Sequence, residues 1–328
     1  MTDRAQSSLA KLPVLVTGAT GIVGGWLVRR LLEIGSDVVI LLRDEPAHAE
    51  LFRSGDVARV TRVRGDLENG RLLERILVDY DVRLVFHLAA QTQVGTAHDE
   101  PLGTLEANVR GTYLLLEAAR RQTRPPAVVV ASSDKAYGAS ETLPYTEDHP
   151  LAGRGIYDAS KSAADLIATA YADSYGLPLA IARCGNIYGG GDLNWERIVP
   201  GTIRSLLAGE RPVLRSDGRP RRDYLYVHDA VSAYLRLAEA VLAGDWVGEA
   251  FNFGLNEPVS VLEIVDELRG ILGRMDLEPR ILASASNEIP DQYLDASKAR
   301  ARLGWKPGFG LRSGLTETVA WYRDLLAE

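Results

Sequence analysis

A tyrosine and a lysine, Tyr157 and Lys161, stand four residues apart in the sequence, a spacing that could support proton transfer. Residues four apart lie on the same face of a helix. A tyrosine hydroxyl with its ordinary pKa of about 10 is a poor base at neutral pH, and a lysine cation one turn away favours the phenolate. The pair therefore predicts removal of a proton from an alcohol as hydride leaves its carbon. An ordinary surface pair on a helix has the same spacing.

A second signal is the glycine-rich segment 18–24, which follows the apolar run 14–17 and precedes a helical pattern. Its G-x-x-G-x-x-G spacing allows a tight turn and a close approach of backbone to a pyrophosphate. The helix start adds free N–H groups and partial positive charge. The segment predicts a dinucleotide-binding loop, and the alternative is a turn packed under a helix. The predicted cofactor-binding residues here are Gly18, Thr20, Gly21, Ile22, Val23 and Gly24.

The end of the second apolar run bears on which dinucleotide binds. An acid there would bind a ribose 2′-hydroxyl, whereas an arginine can hold a 2′-phosphate. Leu42 occupies the position expected for the acid, and Arg43 and Asp44 follow it. The sequence thus predicts NAD and leaves NADP open because of Arg43. Further along, Asp66 could accept a hydrogen bond from an adenine amino group or cap the following helix.

These residues need elements to position them, and short β-branched runs alternate with helical patterns through the first half of the chain. Unbroken apolar runs are typical of strands buried on both faces of a parallel sheet. The predicted strands are 14–17, 38–42, 84–88, 127–131 and 178–183, and the predicted helices are 22–34, 102–121 and 157–175. The alternation predicts an α/β fold of Rossmann type with a doubly wound parallel sheet.

The pattern changes after about residue 185, where loops separate isolated helical patterns at 198–207, 229–242, 261–272 and 311–326. We predict an NAD(P)-binding domain over residues 1–184. A smaller mixed α/β substrate-binding region would cover residues 185–328, with some chain crossing back to the first domain. The locally basic segment 211–222 is either a solvated loop or a phosphate-binding loop.

Composition excludes several classes of function. The 328 residues carry a formal net charge of −7, so nucleic acid is not an expected partner. No apolar run approaches the ~20 residues of a membrane span, and the amino terminus does not resemble a signal peptide, so we expect a cytoplasmic protein without membrane contact. The single cysteine, Cys184, excludes an internal disulfide. The histidines show no metal-ligand spacing, so no metal is predicted.

Together these motifs make the sequence resemble the extended short-chain dehydrogenase/reductase family of nucleotide-sugar enzymes, over nearly its full length. The matching segments are residues 17–24, 65–67, 87–90, 108–112, 132–133, 157 with 161, and 222–224. The resemblance implies a nucleotide-sugar substrate and a homodimer built from the two long helices. It implies dinucleotide contacts at the glycine loop and at Asp66, Leu67, Leu88, Ala89, Ala90, Asn108, Tyr157 and Lys161.

Within this family, the residues after Ser133 resemble those of the 4,6-dehydratases, and the pair Asp134-Lys135 resembles the CDP-glucose 4,6-dehydratase branch. The resemblance implies that Tyr157 and Lys161 oxidise C4 of the hexose while Ser133 binds the C4 oxygen. We assign Asp134 as the acid that protonates the departing C6 hydroxyl before hydride returns to C6. Lys135 occupies the position of the base, or it polarises the C4 ketone or acts through water. The alternative is that Asp134 and Lys135 form an exposed surface pair.

Several alternatives stay open. The segment 96–98 lacks the arginine pair expected of a CDP-glucose enzyme, and Arg43 would suit a GDP-mannose 4,6-dehydratase. A nucleotide-sugar 4-epimerase, of the UDP-glucose or UDP-glucuronate type, would need only Ser133, Tyr157 and Lys161. A non-enzymatic dinucleotide sensor on the same fold is a further hypothesis. The predicted substrate-binding residues, chosen partly because arginine suits phosphate, are Gln91, Asn186, Arg197, Arg215 and Arg222.

Overall fold

The computed structural model describes residues 8–284 and 289–327. Its strands are β1 (Pro13–Thr17), β2 (Asp37–Leu42), β3 (Thr61–Arg64), β4 (Leu84–His87), β5 (Ala127–Ser133), β6 (Leu179–Cys184), β7 (Asn186–Tyr188), β8 (Val213–Leu214), β9 (Arg221–Arg222), β10 (Tyr224–Tyr226), β11 (Ala250–Phe253), β12 (Val259–Ser260), β13 (Arg280–Ile281) and β14 (Asp291–Gln292). Seven of them form a parallel sheet in the order β11-β6-β5-β4-β1-β2-β3. The predicted Rossmann-type α/β fold is therefore confirmed.

Helices cover the sheet and build the region beyond it. They are α1 (Ile22–Ile34), α2 (Glu50–Arg53), α3 (Gly70–Asp79), α4 (Val94–Asp99), α5 (Pro101–Leu105), α6 (Gly111–Arg120), α7 (Ile156–Tyr175), α8 (Ile198–Leu207), α9 (Val227–Leu242), α10 (Val261–Leu272), α11 (Ser297–Leu303) and α12 (Leu311–Ala327). Among the described residues, none of these helices combines the length and apolarity that a membrane span requires.

Both faces of the sheet are buried, as the unbroken apolar runs predict. In β1, Val14 and Val16 join the core that contains α1 and α9, whereas Leu15 joins the core that contains α3, α6 and α7. Side chains of a strand alternate between its two faces, so a strand covered by helices on both sides needs apolar residues at every position. This burial holds the carboxyl ends of the strands at one edge of the sheet.

The prediction of one α-helix over residues 102–121 is wrong in its middle. A π-helical turn, Glu106–Arg110, separates α5 from α6. The turn places Asn108 in the interior, where its side chain bonds to residues outside the helix. Such π-turns often occur at functional sites, because the extra residue redirects a side chain.

Residues after 185 contribute both to the sheet and to a separate cluster of helices. Strand β11 pairs with β6 as the seventh strand of the sheet, and α8, α10 and α12 pack around a core of their own. Strand β10 runs parallel to β7, with Tyr224 opposite Asn186. A three-stranded sheet, β12-β9-β14, completes this region. The division at residue 184 stays a prediction, although β6 ends at Cys184.

Candidate active site

A cleft of about 990 Å³ lies at the carboxyl ends of β1, β4, β5 and β6, and residues 185–200 form its opposite wall. In doubly wound sheets, ligands bind at this edge. The volume lies at the upper end of the range for ligand pockets, ~300–1,000 Å³. The cleft therefore has room for a cofactor together with a substrate.

The glycine loop forms one end of the cleft, and all six residues predicted there line it. Gly18 has φ of 74°, and a Cβ on it would lie 2.6 Å from the backbone nitrogen of Ala89. A Cβ on Gly24 would lie 2.1 Å from the Gly18 oxygen. Gly21 precedes α1 and gives it no side-chain cap, so the first N–H groups of α1 stay available for an anion. This cradle fits the pyrophosphate of a dinucleotide.

The predicted adenosine end of the site lies beside β2 and β3. Asp66 and Leu67 line the cleft there. The alternative that Asp66 caps the next helix is wrong, because Asn69 is the residue whose side chain accepts from Leu72 N at the start of α3. Arg43 also lines the cleft, but its exposed side chain donates to Asp44, with 2.8 Å between Nε and Oδ2.

The segment that follows β4, the neighbour of β1 in the sheet, forms the next wall of the cleft. Leu88, Ala89 and Ala90 line the cleft as predicted for the cofactor site. Asn108 is buried behind them instead of lining the cleft: its Nδ2 donates to the Gln91 carbonyl and to Ser160 Oγ, both at 2.9 Å. Asn108 thus connects the wall of the cofactor site with α7.

The proton-transfer pair lies where β5 and α7 meet. Tyr157 and Lys161 both line the cleft, and Lys161 Nζ donates to the Ala131 carbonyl at 3.0 Å. Burial raises the pKa of Tyr157 to about 12, and the nearby Arg197 cation and a hydrogen bond with Ser133 oppose that rise. Burial lowers the pKa of Lys161 to about 8, against the attraction of Asp165. At Tyr157 burial therefore outweighs the neighbouring positive charge, and the hydroxyl keeps its proton at neutral pH.

Ser133 ends β5 and faces the cleft. Its hydroxyl donates to Asp134 Oδ1 at 3.0 Å and accepts from the Lys135 backbone N–H at 3.3 Å. The second bond caps the short 3₁₀ helix Asp134–Tyr137. This cap holds the three consecutive residues 133–135 in one arrangement beside Tyr157.

Asp134 and Lys135 are not an exposed surface pair, so that alternative is wrong. Asp134 is buried, and its Oδ2 has no hydrogen-bond partner among the described residues. Lys135 is half-buried and lines the cleft, whereas Asp134 does not. The Lys135 ammonium donates to the side-chain carbonyl of Gln292, a completely buried residue that sequence reasoning did not identify.

The structure brings three of the five predicted substrate-binding residues together in the cleft. Gln91, Asn186 and Arg197 line the cleft. Arg197 pairs with the buried Asp192 at 3.2 Å. The structure does not bring Arg215 or Arg222 into the cleft.

Each of these two arginines has a different environment. The Arg215 side chain is 64% exposed and pairs with Glu196 at 3.5 Å. Arg222 is buried, and its guanidinium donates to the carbonyls of Arg221, Ile289 and Pro290. Arg222 therefore holds backbone instead of presenting its charge to a phosphate.

His87 is a core histidine. It is buried between Thr17 and Thr112, with 2.9 Å from each ring nitrogen to a hydroxyl oxygen. Burial and the nearby Lys161 cation lower its pKa to about 3. Over residues 8–284 and 289–327, no group of three or more His, Cys, Asp and Glu side chains is arranged to hold a metal ion.

Comparison with known proteins defines the class of this chain. The profile of the "NAD dependent epimerase/dehydratase family" matches residues 14–254. The chain belongs to this family, and the predicted family resemblance is confirmed. The family's dependence on NAD agrees with the glycine cradle and confirms NAD as the predicted cofactor, whereas the NADP alternative based on Arg43 stays a prediction.

Individual relatives carry different activities in their names. The chain is 32% identical to a CDP-glucose 4,6-dehydratase of Salmonella typhimurium, over 94% of this chain and 90% of that protein. It is 33% identical to a UDP-glucose 4-epimerase of Mycolicibacterium smegmatis, over 94% of this chain and 98% of that protein. The crystal structure of a dTDP-glucose 4,6-dehydratase from Streptomyces venezuelae with NAD bound superimposes with a TM-score of 0.86, at 31% identity, covering 95% and 97% of the two chains.

Proposed function

We propose that this chain is a nucleotide-sugar 4,6-dehydratase that converts an NDP-hexose to its 4-keto-6-deoxy derivative. The observation that carries the proposal is the buried carboxylate of Asp134, hydrogen-bonded to Ser133 beside Tyr157 and Lys161. Oxidation and reduction at C4 need only the serine, tyrosine and lysine. An additional acid is needed to remove a hydroxyl group. The similarity to named 4,6-dehydratases supports the same reaction.

Each step uses a residue of the 133–161 group. NAD, when bound, accepts a hydride from C4 of the hexose and supplies it again to C6. Ser133 orients the C4 oxygen and Tyr157 accepts the C4 hydroxyl proton, so C4 becomes a ketone. The ketone acidifies C5–H, and loss of that proton with departure of the C6 hydroxyl forms the C5–C6 double bond. Asp134 protonates the leaving hydroxyl as water, while Lys135 takes the C5 proton, or polarises the ketone while a water molecule takes that proton. A proton returns to C5 as hydride adds to C6.

Tyr157 can accept the C4 hydroxyl proton only as the phenolate, so the charge around it must favour loss of its own proton before the first step. The pKa of Tyr157, about 12, is held up mainly by burial. Lys161 lies one turn away on α7, and the Arg197 cation acts from the opposite wall. Arg197 and the hydrogen bond with Ser133 lower the pKa of Tyr157. The Lys161 cation, one turn away, is expected to act in the same direction.

A nucleotide-sugar 4-epimerase is the second candidate, because the similarity to a UDP-glucose 4-epimerase extends over 94% of the chain. The discriminating experiment is an NMR assay of purified protein with CDP-, dTDP-, UDP- and GDP-hexoses in deuterated water. A 4-keto-6-deoxy product with deuterium at C5 is expected. A C4 epimer without deuterium would instead establish the epimerase. A Tyr157→Phe variant, which should give neither product, is the control for contaminating enzymes.

We also propose that the protein is a cytoplasmic homodimer. Exposed apolar residues, Leu102 at 70% and Leu166 at 56%, lie on the two helical segments 101–120 and 156–175. The family resemblance implies a dimer built from these two segments, and such an interface would cover both side chains. The cytoplasmic location is supported by the single buried thiol, Cys184, which suits a reducing compartment. Cell fractionation checks the location, and sedimentation checks the dimer.

A further inference from the structure

The side chain of Gln292 bridges two functional residues that are far from it in sequence. Its Oε1 accepts a hydrogen bond from Lys135 Nζ, and its Nε2 donates to the Asp134 carbonyl at 3.2 Å. The second bond determines which end of the amide faces the lysine, because only Nε2 can donate. Gln292 therefore presents a carbonyl oxygen, which is uncharged, to the ammonium of Lys135.

The backbone around Gln292 is held on two sides, so the amide has a defined position. Gln292 lies opposite Arg222 in the parallel pairing of β14 with β9. The Arg222 guanidinium donates to the carbonyls of Ile289 and Pro290, just before β14. On the other side, Tyr145 N–H donates to the Tyr293 carbonyl at 3.0 Å. These contacts explain why Arg222 is buried outside the cleft.

We infer that Gln292 is a positioning residue, which fixes the amine of Lys135 at the substrate with an uncharged acceptor. The inference rests on the proposed dehydratase function, because that function gives Lys135 its role in catalysis. The hydrogen bond between Lys135 and Gln292 does not depend on the proposed function. A lysine that takes a proton, or that polarises a ketone, must have its amine at a defined place. A carboxylate at position 292 could accept from the same amine, but its charge would hold the proton of the Lys135 ammonium more tightly, and it would lose the donor to the Asp134 carbonyl.

The charged and titratable groups around this amine come from several elements. Lys135 lowers the pKa of Asp158, which burial raises, so the two groups act on one another across the start of α7. The groups that surround the 134–135 turn are Asp134 on the turn itself, Tyr157 and Asp158 on α7, Tyr145 in the loop after the turn, and Arg222 and Asp223 at β9. A Gln292→Glu change adds one negative charge to this set and leaves the shape of the side chain nearly unchanged.

The first test measures the proton affinity of Lys135 directly. The sequence contains five lysines, Lys11, Lys135, Lys161, Lys298 and Lys306, so selectively labelled lysine side chains can be followed by NMR. A Lys135→Arg variant assigns the Lys135 signal. In Gln292→Glu the pKa of Lys135 should rise by about 1–3 units, as expected for an opposite charge at hydrogen-bond distance. The matched control is Gln122→Glu, whose amide contacts only the Ala118 carbonyl among the described contacts, and it should leave that pKa unchanged.

The second test measures the reaction. The limb of the pH–rate profile that reports titration of Lys135 is the one that disappears in Lys135→Met. In Gln292→Glu this limb should move to higher pH, whether Lys135 acts as a base or as a cation. Gln292→Leu should slow elimination about 10- to 100-fold while oxidation at C4, seen as transient reduced nicotinamide, persists.

The outcomes of these tests distinguish a failure of the Gln292 inference from a failure of the proposed dehydratase function. An unchanged Lys135 pKa in Gln292→Glu overturns the inference, whatever the enzyme does. An equal loss of activity at every pH, with the profile in place, also overturns it and indicates a purely structural role for Gln292. A wild-type protein that dehydrates no nucleotide sugar refutes the proposed function alone, because the NMR titration of Lys135 still decides the inference.

Discussion

At the scale of single residues, burial sets the chemistry of this site more strongly than neighbouring charge does. Tyr157 and Lys161 have the spacing of a proton-transfer pair, yet burial raises the pKa of the tyrosine to about 12 and lowers that of the lysine to about 8. Both shifts favour the neutral forms. Proton transfer by Tyr157 at neutral pH then needs positive charge beside the hydroxyl, and Arg197 supplies such a charge.

The role of Asp134 as the acid can be tested with a single substitution. An Asp134→Asn variant should keep oxidation at C4 and lose elimination by a factor of about 100 or more, because the leaving hydroxyl would have no acid. Deuterium incorporation and formation of the 4-keto-6-deoxy product measure this loss. Asp173→Asn, an exposed position on α7, is the control. Unimpaired elimination in Asp134→Asn would contradict the role assigned to Asp134.

At the scale of elements, two buried polar side chains connect the sheet with its helices. His87, at the end of β4, contacts Thr17 of β1 and Thr112 of α6. Asn108, in the π-helical turn, connects the segment after β4 with Ser160 of α7. The bonds of His87 therefore connect β1 and β4 with α6, and those of Asn108 connect the cleft wall with α7.

His87 makes the stability of the protein sensitive to acid. Its pKa is about 3 in the folded protein and about 6.5 in an unfolded chain, so the unfolded chain takes up the proton first. The stabilisation is complete above about pH 6.5 and is lost as the pH falls towards 3, by up to about 4 kcal/mol. Denaturant titrations of His87→Gln should show a flatter pH dependence of the free energy of unfolding over this range. His98→Gln, at an exposed position, should match the wild type.

Asn108 gives a second prediction for the elements. Asn108→Leu removes the acceptor for Gln91 N–H and the donor to the Gln91 carbonyl and Ser160. Leaving these groups without partners should lower the free energy of unfolding by about 2–4 kcal/mol, measured in urea. The comparison is Asn69→Ala, which removes only the cap of α3 and should cost about 1 kcal/mol. Equal effects of the two variants would show that Asn108 does not connect the elements.

At the scale of the whole molecule, residues far apart in sequence form the two walls of one cleft. The sheet supplies the cofactor wall, and residues 185–200 supply the opposite wall with Asn186 and Arg197. The chain then returns to the sheet through β11 and to the 134–135 turn through Gln292. The substrate-side region is therefore connected to the sheet at several points.

The proposed homodimer is tested at this scale. Leu166→Glu places a charge on the exposed apolar surface of α7 and should convert the dimer to a monomer in analytical ultracentrifugation. Val78→Glu, an equally exposed apolar position on α3, should leave the dimer intact. A Leu166→Glu protein of unchanged mass in solution would place any interface elsewhere.

Local patterns in the sequence were sufficient for the parallel sheet, the glycine loop and the spacing of Tyr157 and Lys161, because the periodicity of strands and helices acts over a few residues. They were insufficient for Arg215 and Arg222, which share a basic segment but differ in exposure and partners. Only the tertiary structure decided that Asp134 is buried, that Asn108 lies behind the cleft, and that Gln292 contacts Lys135. Side-chain contacts between distant segments depend on packing and strand register, which local periodicity does not encode.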